Sequence, residues 1–460
     1  MVCILYLTVA EHPSELYLLG MRPYTPRIVD AELDELQASL PAIALEGPKG
    51  VGKTATGERR AASVFRLDDP AQRSIVEADV TLPLGSAPPV LIDEWQRVPA
   101  VWDAVRRAVD DGAPGGQYIL AGSALPDDTR EEAKTHSGAG RIVSVRMRPL
   151  ALAERGLGQP TVSMRDLLTG TRPRISGVTE IHLEDYAREV VRSGFPGLRQ
   201  LQGRALRAQL DGYLTHIVDR DFVEAGHAVR KPDALRRWMA AYAAATATAT
   251  TLEKIRDGAT SGDGVTSTRK TTLEYRDVLE RLWILDPVPG WLPSRNHLER
   301  LTQAPRHHLA DPALAARLLG ADEGALLSGM VSPLFVPEAS TGKVPATAPR
   351  DGTLFGQLFE SLVTQSVRVY AQAHEAVVRH LRLYDGRHEV DLIVERPDHR
   401  VLAIEVKLSA AINDHDVEHL TWLQEKMGAD LLDALVISSG PQAYRRQDGI
   451  AVVPAALLGP

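Results

Sequence analysis

Residues 47–54 read GPKGVGKT, and no other stretch of this 460-residue chain restricts its fold as tightly. The run matches G-x-x-x-x-G-K-[ST] at every fixed position, directly after the apolar stretch AIAL and before a segment compatible with a helix. Each part of the spacing has a chemical reason. Glycines let backbone N–H groups curl around phosphates, the helix N-terminus faces the negative charge, Lys53 reaches the outer phosphates and Thr54 offers its hydroxyl to Mg²⁺. Gly47, Pro48, Lys49, Gly50, Val51, Gly52, Lys53 and Thr54 are therefore the expected ATP-binding run.

From Ala42 to Leu152 the apolar runs AIAL, SVFRL, PVLIDE, QYILAGS and RIVSVRM alternate with helical or loop stretches, the pattern of a parallel sheet covered by helices. VLIDEW ends in Asp93 and Glu94, and a parallel sheet brings that edge beside the glycine loop. Asp93 is expected to hold Mg²⁺ through water and Glu94 to polarise an attacking water. An Asp-Glu pair after a strand also serves as a plain helix cap; it gains meaning from the loop. Ser123, ending YILAGS, is expected either to contact the terminal phosphate or the water, or simply to form a turn. Arg141, after the glycine-rich turn HSGAG, is expected as an arginine finger in cis or on a neighbouring subunit, or as a salt bridge anchoring the next strand.

Residues 180–257 show helical periodicity with turn residues at the segment ends. TLEKIRDG, a Gly- and Ser-rich turn, a helix from Thr268 and an apolar strand follow in the order of a winged helix-turn-helix. That last helix carries Arg269, Lys270, Arg276 and Arg281 among Glu274, Asp277 and Glu280, a slight positive balance. Arg204, Arg207, Arg220, Arg230, Lys231, Arg236 and Arg237 form either a basic track for DNA, arginines that sense nucleotide between domains, or a solvated face. Residues 331–352, rich in Pro, Ser and Thr, read as a linker or mobile loop.

EVDLIVERPDHRVLAIEVK, residues 389–407, reads as two strands and a polar turn, with Asp391 in one and Glu405 and Lys407 on the matching face of the other. Glu360 lies on the preceding amphipathic helix. This set resembles the PD-(D/E)xK nuclease core, which implies that Glu360, Asp391 and Glu405 hold Mg²⁺ and that Lys407 positions or activates the hydrolytic water. An E-x-K on a strand is also a common surface ion pair, and nuclease-like domains also serve as binding modules.

Composition narrows the classes further. A net charge of -8 gives no global attraction to nucleic acid, so any DNA contact needs a local basic face. One cysteine, Cys3, excludes an internal disulfide and fits a reducing compartment, with the cytoplasm as the default. No apolar run reaches the roughly 18 residues of a membrane span. The opening MVCILYLTVA lacks a basic flank, and Met21 is an alternative start.

In the order YTPRIVD, GPKGVGKT, VLIDEWQRVP, ILAGS and HSGAGRIVSVRMRPLALAERG, followed by SGFPGL, YLTHIVDRD and HHLADPALAARLL, the chain resembles bacterial and archaeal AAA-type ATPases that carry a C-terminal domain of unknown function numbered 4143. The resemblance spans nearly the whole chain from about Met21. It implies an α/β multidomain protein: an extension (1–20), a P-loop parallel-sheet ATPase core of the additional-strand kind (21–178), a helical and winged-helix middle (179–300) and a restriction-endonuclease-like α/β domain (301–460). The expected activity is Mg²⁺-dependent ATP hydrolysis, associated with DNA and coupled to the nuclease-like domain. The alternative is an ATP-dependent switch or scaffold, in defence or signalling, whose C-terminal domain binds a partner without cleavage. A metabolic kinase is disfavoured by the Asp-Glu pair and by the lack of an acceptor-site signature. Expected partners are ATP, DNA and a second copy or another protein, with no membrane.

Overall fold

Strand β1 (Ala42–Glu46) is apolar on both faces and accordingly runs through the interior of a parallel sheet. The computed structural model describes residues 24–123, 138–227, 229–260, 267–293, 303–328, 352–383 and 387–460. The expected extension 1–20 lies outside these residues, as does the 331–352 stretch except Gly352, which opens a helix. With β2 (Ser63–Arg66), β3 (Val90–Asp93), β4 (Tyr118–Gly122) and β5 (Ile142–Arg146), β1 makes a five-stranded sheet in the order β2-β3-β4-β1-β5, every pair parallel. One strand, β4, thus stands between the glycine-loop strand and the strand ending in Asp93. On one face Ala44, Ile92 and Leu120 pack against Trp95 and against Trp102 and Val105 of the Ala100–Asp110 helix. On the other face Ile43, Leu45 and Val145 join a core shared with the rest of the molecule.

A second sheet contains eight strands in the order β7-β13-β14-β12-β11-β10-β9-β8. Its centre is a meander of β9 (Val377–Arg382), β10 (Glu389–Glu395) and β11 (Val401–Lys407), antiparallel throughout, with β12 (Leu431–Ser438) parallel to β11. The Gly352–Gln372 helix precedes the meander and the Glu418–Met427 helix joins β11 to β12. Apolar residues alternate along the strands, so Leu392, Leu402 and Ile404 meet Leu358 and Leu362 while Val401 and Ala403 meet Leu420 and Leu423.

The remaining strands pair across the expected boundaries. β6 (Val162–Ser163) pairs with β15 (Leu458–Gly459), and β7 (Gly177–Val178) pairs with β13 (Gln442–Arg445), next to β14 (Ala451–Pro454). Residues within the expected core 21–178 thus complete sheets of the C-terminal part. Likewise β8 (Gly290–Trp291), from the expected middle, adds to β9, whereas the Pro312–Leu318 helix, from the expected C-terminal domain, packs on the Leu183–Arg192 and Pro232–Ala244 helices. Local periodicity reports the type of an element; its partner depends on residues far along the chain.

The middle is built on aromatic packing: Trp238 lies 5.3 Å from Tyr242 and 6.2 Å from Tyr275, ring centre to ring centre. The helices Pro232–Ala244, Leu252–Gly258 and Arg269–Arg281 are followed by two antiparallel bridges, Leu285 with Leu309 and Val288 with Arg306. Residues 294–302 between these bridges lie outside the described residues.

Asp286, beside the first bridge, joins all these parts. Its carboxylate is buried, 3.0 Å from Arg146 and 2.8 Å from Arg148 at the exit of β5, and 2.9 Å from Arg368 of the Gly352–Gln372 helix. Burial alone would raise its pKa, but the three arginines outweigh burial and hold it well below the usual carboxylate range. Asp286→Ala strands those cations in the interior, and we expect a loss of about 3–5 kcal/mol, seen as a lower urea midpoint. Because the folded-state pKa is depressed, the wild-type contribution is complete above the unfolded value of about 4 and fades as pH falls below it; the variant lacks that part of the acid sensitivity.

Candidate functional site

The glycines of residues 47–54 hold backbone conformations that a side chain would strain. Gly47, Gly50 and Gly52 have φ of 150°, 79° and 105°, and a Cβ on Gly47 would lie 2.3 Å from the Met147 carbonyl oxygen. The loop is thereby pressed against the exit of β5. Lys53 Nζ turns back to donate to the carbonyls of Gly47 at 2.8 Å and Pro48 at 3.0 Å, and burial pushes its pKa down to about 8. Thr54 Oγ1 donates to Asp93 Oδ2 at 2.9 Å. The other oxygen of Asp93 is buried with no hydrogen-bond partner, and burial pushes this carboxyl up to about 6.

Glu94 follows in the left-handed region at φ 54°, a conformation that costs on the order of 1 kcal/mol. Gln96 Nε2 donates to it at 2.5 Å, and Ser123 Oγ, buried at the end of β4, lies 3.3 Å from the same carboxylate. Lys53, Thr54, Asp93, Glu94 and Ser123 therefore meet at one sheet edge.

Arg141 is not brought there. β5 runs parallel to β1 with Ile142 opposite Ala42, so Arg141 lies at the far edge from the loop, half-exposed and 2.8 Å from Asp110. The β5 arginine at the loop edge is Arg146, opposite Glu46, and it is committed to Asp286 and to the ring of Trp283.

Two groups of contacts around the loop carry no sequence motif of their own. Arg27 is buried; its guanidinium donates to the carbonyls of Val51 at 2.8 Å and Arg148 at 2.5 Å and to Glu154 at 3.1 Å, tying loop, β5 exit and following turn together. From the other side Lys49 Nζ donates to Asp221 at 2.6 Å and Glu224 at 2.9 Å, and Tyr213 donates to the Lys49 carbonyl at 3.1 Å. Asp221 ends a π-helical turn, Ile217–Asp221, a distortion common at functional positions. YTPRIVD contains Arg27 and YLTHIVDRD contains Tyr213 and Asp221, but nothing in either string reveals the loop as their partner.

In the C-terminal part a bulge between Val390 and Ile393 adds one residue to β10 and re-aims Asp391. Asp391 accepts from the Val406 N–H at 2.8 Å, and Lys407 Nζ donates to Glu405 at 2.8 Å. Burial pushes Glu360 and Glu405 above the usual carboxylate range. Between the acids stands a side chain that the sequence did not advertise: Arg306 bonds Asp391 at 2.8 Å, and also Glu360 and Glu389. As they stand, Glu360, Asp391 and Glu405 do not fit a metal ion, because the guanidinium lies among them. Among the described residues no group of three or more His, Cys, Asp or Glu side chains is arranged to hold one.

Of the basic candidates, Arg236 pairs with Asp219 and Asp233, Arg276 with Asp277, and Arg281 contacts His227. Arg230, Lys231, Arg237 and Lys270 line one cleft with Thr268 and Glu274. No helix among the described residues is long and apolar enough to cross a membrane.

The strand order, the glycine loop and the acidic strand end together resemble the nucleotide-binding part of AAA-type ATPases. Residues 39–155 match the family described as AAA domain, residues 183–325 a domain of unknown function (DUF8612) and residues 355–458 a domain of unknown function (DUF4143). Uncharacterized proteins of Mycobacterium bovis and Mycobacterium tuberculosis are each 26% identical over 288 residues, 62% of this chain. The match spans only 57% of the length of either relative. Among solved structures, a Walker-type ATPase of Pyrococcus abyssi is 17% identical, over 65% of this chain and 98% of that one, with a TM-score of 0.36. The ORC2 protein of Aeropyrum pernix in its ADP form is 13% identical, over 65% and 93%, with a TM-score of 0.26.

Arg27→Ala removes the only fork that reaches from Val51 to Arg148 among the described residues. We expect it to weaken binding of a fluorescent ATP analogue by about ten- to a hundredfold in a titration, as the loss of hydrogen bonds from a charged donor implies. Arg27→Lys should not restore binding, since an ammonium lacks the planar fork.

Proposed function

We propose that this chain is an Mg²⁺-dependent ATPase whose nucleotide site drives the helical and winged-helix region and a nuclease-fold C-terminal domain, on DNA. The observation that carries the catalytic part is the Thr54–Asp93 hydrogen bond, with one Asp93 oxygen left over and Glu94 held beside it. That orphaned buried oxygen and the Thr54 hydroxyl suit a hard cation, so these two residues would hold Mg²⁺. When bound, the ion neutralises charge on the phosphates.

Lys53 exchanges its two loop carbonyls for phosphate oxygens, and the loop N–H groups receive the rest of the negative charge. Glu94 takes the proton of the attacking water, and Ser123 and Gln96 hold its carboxylate in place. Arg141, on the far edge of its own sheet, reaches a phosphate only from a neighbouring subunit. Residues 24–155, 183–327 and 352–460 act as the three working units in this reading.

The helix-helix-helix-bridge order of residues 232–309 supports DNA association, as does the cleft with Arg230, Lys231 and Lys270. The helix, three-stranded meander, helix and parallel strand of residues 352–438 support the nuclease fold. A second reading, a switch or scaffold that binds a partner without cutting, is favoured by Arg306 among the C-terminal carboxylates.

Phosphate release measured without any added acceptor tests the first reading. We expect Lys53→Ala to lose binding and turnover together, and Glu94→Gln to keep binding while turnover falls about 10²–10⁴-fold. Full turnover in both variants would overturn the site assignment. DNA that wild type and Arg306→Gln both bind but leave intact, with Mg²⁺ or Mn²⁺ and with or without ATP, would decide for the second reading.

A further inference from the structure

The C-terminal carboxylates are already served by a cation of the protein's own. Glu360, Glu389 and Asp391 all converge on the Arg306 guanidinium, whose side chain is 2% exposed. We propose that Arg306 is a latch: it occupies the position that the C-terminal carboxylates would give to a divalent metal ion, and it must leave before a metal binds there. This deepens the nuclease-fold reading of residues 352–460 and rests on it.

The guanidinium leaves part of the acidic cluster unserved. Glu405 belongs to the same cluster and is held by Lys407 on one oxygen; the other oxygen is buried with no partner, a ligand position that Arg306 does not serve. The guanidinium is held through its terminal nitrogens alone, its buried Nε having no hydrogen-bond partner either. A planar fork matches carboxylates two at a time, whereas a hard divalent ion gathers six or so oxygens around one point, so the two occupants compete for the same oxygens.

The latch also comes from outside the unit that owns the acids. Arg306 is carried on a short segment whose backbone pairs with Val288 through two bonds of 2.9 Å, and Val288 lies two residues from Asp286. The side facing Glu389 is open, since that side chain is 36% exposed, so an ion has an approach once the guanidinium withdraws.

The test titrates the full chain with Mn²⁺ in the absence of nucleotide, following free Mn²⁺ by its electron paramagnetic resonance signal. Arg306→Gln is expected to gain one Mn²⁺ site about tenfold or more tighter than any in wild type, and adding Asp391→Asn is expected to abolish that gain. Arg306→Lys keeps a buried positive charge, and with it the fold if the glutamine variant fails to fold, but cannot span three carboxylates; it should gain the same site more weakly. The proposal is overturned if wild type binds Mn²⁺ there as tightly as the variants, if variants with wild-type circular dichroism gain no site, or if the gain survives Asp391→Asn. DNA cleavage by Arg306→Gln is read separately: a gained Mn²⁺ without cleavage would refute the nuclease reading and leave the latch standing.

Discussion

A carboxylate enclosed by three arginines, Asp286, is the interaction on which the arrangement of this molecule depends. An isolated charge in the interior is intolerable, and a lone Asp–Arg pair barely offsets its own desolvation. Here the cations arrive from the exit of the nucleotide-binding sheet and from the Gly352–Gln372 helix, so each part supplies what the others need to keep their charges buried. The result is a fixed junction. From it a run of direct contacts leads through Arg148 to Arg27 and the Val51 carbonyl in one direction, and through Val288 to Arg306 and the C-terminal acids in the other.

Both candidate sites share one electrostatic design. Each cation that a ligand would meet is already engaged: Lys53 by carbonyls of its own loop, Lys49 by Asp221 and Glu224, Arg306 by three acids. A ligand at either end would therefore have to exchange partners with groups already paired, and the displaced partners would need new ones. Lys49 illustrates this: burial would lower its pKa, yet the two acids outweigh burial and raise it, so nucleotide arriving at the loop finds the lysine already bound to the helical region.

The nucleotide site was legible in the sequence because its chemistry is local. GPKGVGKT, VLIDE and YILAGS each hold their functional groups at the end of a strand, and a parallel sheet puts those ends on one edge. The Asp391, Glu405 and Lys407 set was legible for a related reason, since alternation along β10 and β11 decides the face. Arg141 precedes its strand, and a parallel sheet puts strand starts on the edge opposite the glycine loop, so the same rule places it away from the site. Arg27, Asp286 and Arg306 were illegible because an ion pair between distant residues leaves no period and no spacing. The partners of β6, β7 and β8 were illegible likewise, because two-residue strands are too short to show a period.

One apolar core runs from Val29 and Leu33 through Tyr186, Leu314 and Phe359 to Leu458 without respecting the borders between the parts. Among the described residues β6 finds its partner only in β15, and beside them Ser163 Oγ donates to the Pro460 carbonyl at 2.8 Å across 297 residues of chain. On the ribosome, the nucleotide-binding part therefore emerges with one flank of its core uncovered and waits for the C-terminal strands to be made. During that interval the nascent chain carries sticky surface, and its safe production depends on the pace of synthesis and on whatever shields that flank.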